Sequence, residues 1–69
     1  MEVKWVDGFE IHVTVNSGAA VISANREGLL SLAEQLAALA DGQPGDHIHY
    51  DKHASLEKGS AELIIERIS

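Results

Sequence analysis

Three of the chain's four histidines fall inside one nine-residue stretch, Gly45 to His53, reading GDHIHYDKH. On an extended backbone side chains alternate, so His47, His49 and Asp51 share one face while Ile48 and Tyr50 take the other. Two imidazoles at i and i+2 can meet a single metal ion, and Asp51 and His53 follow within reach of the same site. His47, His49, Asp51 and His53 are therefore the candidate metal ligands, with zinc the ion that imidazole and carboxylate would suit. A structural zinc site wants four protein ligands, and a catalytic one about three with an open position. His12 is the remaining imidazole that could complete either. Two further readings need no metal: plain surface positions on a strand, or anchors that order the connector together with Asp46 and Asp51.

Covalent and acid-base chemistry find less support. Ser17, Ser55 and Ser60 sit in turn contexts without a nucleophile elbow, and no glycine-rich phosphate loop is present. Glu62 and Glu66 lie four apart on an extended stretch, too far to share a proton. The absence of cysteine removes thiol nucleophiles, thiolate zinc sites and disulfides. A chain this short rarely builds a pocket of several hundred Å³, so no enzymatic activity is expected. The string His-x-His-x-Asp-x-His is close to a metallo-β-lactamase-type hydrolase signature, yet that signature draws its other ligands from a much longer α/β fold that this chain lacks.

The elements that would position these residues are legible in the patterning. VKWVDGFEIHVTV predicts a hairpin turning at Asp7-Gly8, with strands at residues 2–6 and 9–15. Phe9, Ile11, Val13 and Val15 alternate with Glu10, His12 and Thr14, giving one core-facing and one polar side. Cross-strand pairing then puts Val3 and Trp5 beside Glu10 and His12, away from the core. Asn16 to Gly18 reads as a second turn, and AAVIS as a short third strand. From Asn25 to Ala40 the residues Leu29, Leu32, Ala33, Leu36, Ala37 and Leu39 or Ala40 recur at helical spacing, with Ser31, Glu34 and Gln35 on the other side. Asn25 or Ser23 would cap this helix, Glu27 would sit at its positive end, and Gly42 with Pro44 would stop it. DHIHY and AELIIERI read as two closing strands around a turn near Gly59. Leu63 and Ile65 oppose Ile64 and Ile68, which predicts a central last strand.

The fold class expected is α+β: a four- to five-stranded mostly antiparallel sheet with one helix on one face, in the order β-β-(β)-α-β-β. The 69 residues suit one domain, 1–69, and 45% hydrophobic residues can supply its core. Five basic against eleven acidic residues, a net charge of −6, argue against a nucleic-acid partner and suit a basic protein surface. No apolar run is long enough to span a bilayer, and MEVKWVDGFE lacks a signal-peptide pattern, so a cytoplasmic protein is expected.

One helix covers one sheet face. The other face would expose Val3, Trp5, His12, His47, His49 and one register of the last strand, with Asp51 and Glu57 beside it, a mixture suited to a partner or to homodimerisation. The segments ISANREGLLSLAEQLAALA, GDHIHYD and SLEKGSAELIIERI, in that order over Val21 to Ile68, resemble the immunity protein 32 family of bacterial polymorphic toxin systems. The resemblance implies an α+β protein that neutralises a cognate protein toxin by binding it, without catalysis or a required cofactor. Asp46, His47, His49, Asp51, Leu56, Glu57, Gly59, Ser60 and Glu62 fall on positions of that pattern.

Overall fold

A computed structural model of the chain describes residues 3–69. Glu2, the first residue of the expected opening strand, lies outside the described residues. The elements run β1 (Ile11–Asn16), β2 (Ala19–Ala24), α1 (Arg26–Ala40), β3 (His47–Tyr50) and β4 (Leu63–Glu66). The α+β class is as expected, but the strands form two antiparallel two-stranded sheets, β1-β2 and β3-β4, rather than one sheet of four or five.

Of the two turns the sequence predicts, the second, at Asn16 to Gly18, forms the tight hairpin and leads into the expected short strand, and the first, at Asp7-Gly8, does not join two strands. Ser17 and Gly18 have φ of 51° and 81°, and this pair of positive values is what a type I′ turn requires, so the β1-β2 ladder closes on Asn16 and Ala19. At Asp7-Gly8 only the glycine is left-handed, with φ 84°. That turn is closed by Phe9 N–H donating to Val6 O at 3.2 Å, but its twist does not suit a two-residue hairpin. The chain before it is held by the helix instead. Val6 N–H donates to Ser31 Oγ at 2.8 Å, and Gln35 Nε2 donates to Lys4 O at 2.7 Å. Buried backbone groups must find partners, and here two helix side chains replace a neighbouring strand.

This use of Ser31 and Gln35 also shifts the stripe of the helix that is buried. Gly28, Ser31, Leu32, Gln35 and Leu39 are its buried residues, while Leu29, Leu30 and Leu36 are exposed. The periodicity of leucine and alanine indicates Leu32 and Leu39 correctly, but it places Leu29, Ala33, Leu36 and Ala37 inside and Ser31 and Gln35 outside, and those positions are reversed. Close approach explains the role of Gly28: a Cβ there would stand 2.5 Å from Glu10 O and 2.9 Å from Ile11 Cγ1. The helix starts at Asn25, whose Oδ1 accepts from Gly28 N–H at 2.8 Å, with Glu27 in the first turn.

The core is one cluster drawn from both sheets, the helix and the connector: Ile11, Val13, Leu32, Leu39, Ile48, Tyr50 and Leu56. Trp5 packs against it rather than away from it, stacked on Phe9 at 4.3 Å between ring centroids and edge-on to Tyr50 at 6.1 Å. Glu57 N–H donates to Ile11 O and Ala61 N–H to Val13 O, both at 2.8 Å, so the connector is laid along the second edge of β1. β4 is not central. It pairs with β3 alone, and Leu63 and Ile65 reach the core while Ile64 and Ile68 do not.

Candidate partner-binding surface

The β3-β4 register places His47 opposite Glu66 and His49 opposite Ile64. Directly opposed residues share a face, so His47, His49, Ile64 and Glu66 stand together on the side turned away from the core, and Glu62 and Ile68 continue the β4 parity. Ile48 and Tyr50 fill the inner side, as the alternation predicts. Tyr50 is fully buried, and its hydroxyl donates to Gln35 Oε1 at 2.7 Å. Burial pushes the Tyr50 hydroxyl above its ordinary pKa by desolvating the phenolate. The inner side of β3 thus locks the strand to the helix, and the outer side is left free to meet something else.

On that outer side Ile64 is 59% exposed and Ile68 88%, two large aliphatic side chains left in water. His49 Nε2 lies 3.3 Å from Glu62 Oε2, an exposed pair that orients the ring more than it stabilises the fold. His47 turns its Nδ1 toward Gly45 O at 3.5 Å, at the limit of a hydrogen bond. The surface is an apolar pair rimmed by imidazoles and carboxylates.

The candidate metal ligands separate. Asp51 Oδ1 accepts from the backbone N–H groups of His53 and Ala54, both at 2.9 Å, which commits it to ordering the connector. His53 lines a groove of about 390 Å³ with Lys52, Lys58 and Gly59, and Lys4, Glu34, Gln35, Ala37 and Ala38 line another of about 510 Å³. Neither groove is lined by His12, His47, His49 or Asp51. Among the described residues no three His, Asp or Glu side chains come together in a group that could hold a metal ion.

Of the residues expected to face a partner, His47 and His49 stand on this surface. His12, paired with Ser23 on β1, is half-buried, and Trp5 is drawn into its aromatic stack. Glu57 is exposed at the turn that begins the connector's run along β1. One register of the last strand is expected on this face, and the structure selects the one with Glu62, Ile64, Glu66 and Ile68, which share a face at two-residue steps in AELIIERI.

The described residues form a small α+β domain with one mixed apolar and polar face exposed on β3 and β4. The chain belongs to the immunity protein 32 family, whose model matches residues 20–68. No curated protein and no solved structure matches it. No helix among the described residues is long and apolar enough to cross a membrane.

Proposed function

We propose that this chain is a non-catalytic immunity protein that neutralises a cognate bacterial toxin by binding it through the outer face of β3 and β4. Membership of the immunity protein 32 family carries the reading. The geometry adds a surface for it: exposed Ile64 and Ile68 supply apolar contact area, and His47, His49, Glu62 and Glu66 form the polar rim typical of protein interfaces. The net charge of −6 favours a basic toxin surface, because long-range attraction raises the encounter rate. The same charge leaves nucleic acid and anionic membranes outside this reading, which also requires no cofactor and is set in the cytoplasm.

The test is capture of the product of the neighbouring toxin gene by the purified chain, together with protection of cells that express that toxin. An Ile64→Asp/His49→Asp double variant should keep its fold and lose affinity by at least about tenfold, the effect of roughly 1.4 kcal/mol at an interface. Full protection by the double variant would move the contact to another surface, and failure of the native chain to bind any such toxin would end the reading.

A further inference from the structure

We infer that β2 pairs edge to edge with β2 of a second copy of this chain, joining two hairpins into one four-stranded antiparallel sheet; the inference goes beyond toxin binding and does not rest on it. The ladder fixes which backbone groups are free. Asn25 N–H donates to Glu10 O at 3.1 Å, and the two-residue step of an antiparallel pair carries that bonded parity to His12–Ser23, Thr14–Val21 and Asn16–Ala19. The N–H and C=O of Ala20 and Ile22 therefore point away from β1. Among the described residues no backbone hydrogen bond outside the hairpin reaches them.

The second edge of β1 is occupied, and that of β4 is flanked by charge. β1 is covered by the connector through Glu57 and Ala61, and β4 ends on Glu66 with Arg67 just beyond it, charges of the kind that keep natural strand edges from pairing. β2 has no such defence. Its residues AAVISA contain no charge, no proline and no glycine, and Val21 and Ile22 are 45% and 42% exposed.

The occupant follows from charge and from area. A strand with no charge can lie antiparallel to its own copy without setting like charges opposite one another, although the chain as a whole is acidic. A register with Ile22 facing its own symmetry mate and Ala20 facing Ala24 satisfies the outward groups of Ala20 and Ile22 in a two-fold contact. The chain exposes 4720 Å², more than the roughly 4,200 Å² that size scaling gives a monomer of this mass.

Sedimentation equilibrium of the purified chain, from micromolar to millimolar concentration, reads the inference directly: the mass should rise from 7.4 kDa to twice that value. Ala20→Pro deletes an N–H that the hairpin does not use, and Val21→Lys adds charge to the edge. Both should stay monomeric with unchanged far-ultraviolet circular dichroism. A native chain that keeps the monomer mass at millimolar concentration overturns the inference, and so does a dimer that survives both substitutions. If the native chain is monomeric and the Ala20 and Ile22 amides gain exchange protection only when toxin is added, the edge takes a toxin strand and the second copy is excluded. Cell protection by Ala20→Pro, measured in parallel, reports on toxin neutralisation separately.

Discussion

The buried amide of Gln35, 1% exposed, accepts the Tyr50 hydroxyl and donates to the Lys4 carbonyl, so one side chain ties β3, the helix and the opening segment together. Tyr50→Phe leaves that amide oxygen without its partner and should cost about 1–2 kcal/mol in urea unfolding. The same hydroxyl predicts an alkaline dependence. Its pKa is raised in the folded state, so stability is unaffected below the unfolded value of 10.0 and falls as pH rises from there through the folded value. Tyr50→Phe should remove that part of the alkaline loss. Gly28→Ala makes a second residue-scale test: alanine favours helix, yet its Cβ would meet Glu10 O at 2.5 Å. Because a backbone atom cannot step aside, crowding should dominate and destabilise by about 1–3 kcal/mol, measurable as a lower unfolding midpoint. For the histidines, two imidazoles without a third ligand should bind Zn²⁺ more weakly than about micromolar in calorimetric titration of tag-free protein.

At the scale of elements, Asn25 joins three pieces of backbone. Its Oδ1 accepts from Gly28 N–H and Glu10 N–H, and its Nδ2 donates to Gly8 O at 2.9 Å. It caps the helix and also fixes where the opening turn meets β1. Asn25→Ala should therefore cost about 2 kcal/mol, the upper end for a cap, and Asn25→Asp less, since the aspartate keeps the acceptor and loses only the bond to Gly8. A cap at Asn25 or Ser23, the alternation of Ile48 and Tyr50 and the span of the helix were legible in the sequence because each follows from local chemistry, and the structure selects Asn25. The face of the helix was legible at Leu32 and Leu39 but not at Ser31 and Gln35. Leu29, Leu36 and their neighbours outscore Ser31 and Gln35 in hydrophobicity, but Ser31 and Gln35 are needed inside by the unpaired backbone of Lys4 and Val6. That demand comes from a segment some thirty residues away in the chain, which no local periodicity records.

For the molecule as a whole, charge and surface set how it meets a partner. Association with a basic toxin should slow as salt is raised, because a net charge of −6 acts over a Debye length of about 10 Å at 0.1 M. Stopped-flow association rates should drop by about tenfold between low salt and 0.5 M, with dissociation nearly constant. An unchanged association rate would mean the encounter is not steered. The candidate surface was half legible at this scale. His47 and His49 were readable as exposed partners on one strand, while Ile64 and Glu66 join them only because β3 and β4 pair in one register.

The sequence alone determined the α+β class, the helix with a cap at Asn25 or Ser23, the inward Ile48 and Tyr50, the outward histidines and the acidic balance, each from neighbouring residues or from composition. Tertiary structure decided that two small sheets form instead of one, that Trp5 stacks over the core, and that Asp51 orders a loop rather than joining His47 and His49. The physical reason is the same in each case. A buried backbone group or an open strand edge takes whatever partner the fold brings near, and which partner arrives depends on contacts distant in sequence. For GDHIHYDKH, alternation determined the face on which the histidines stand, and the β4 register decided what stands there with them.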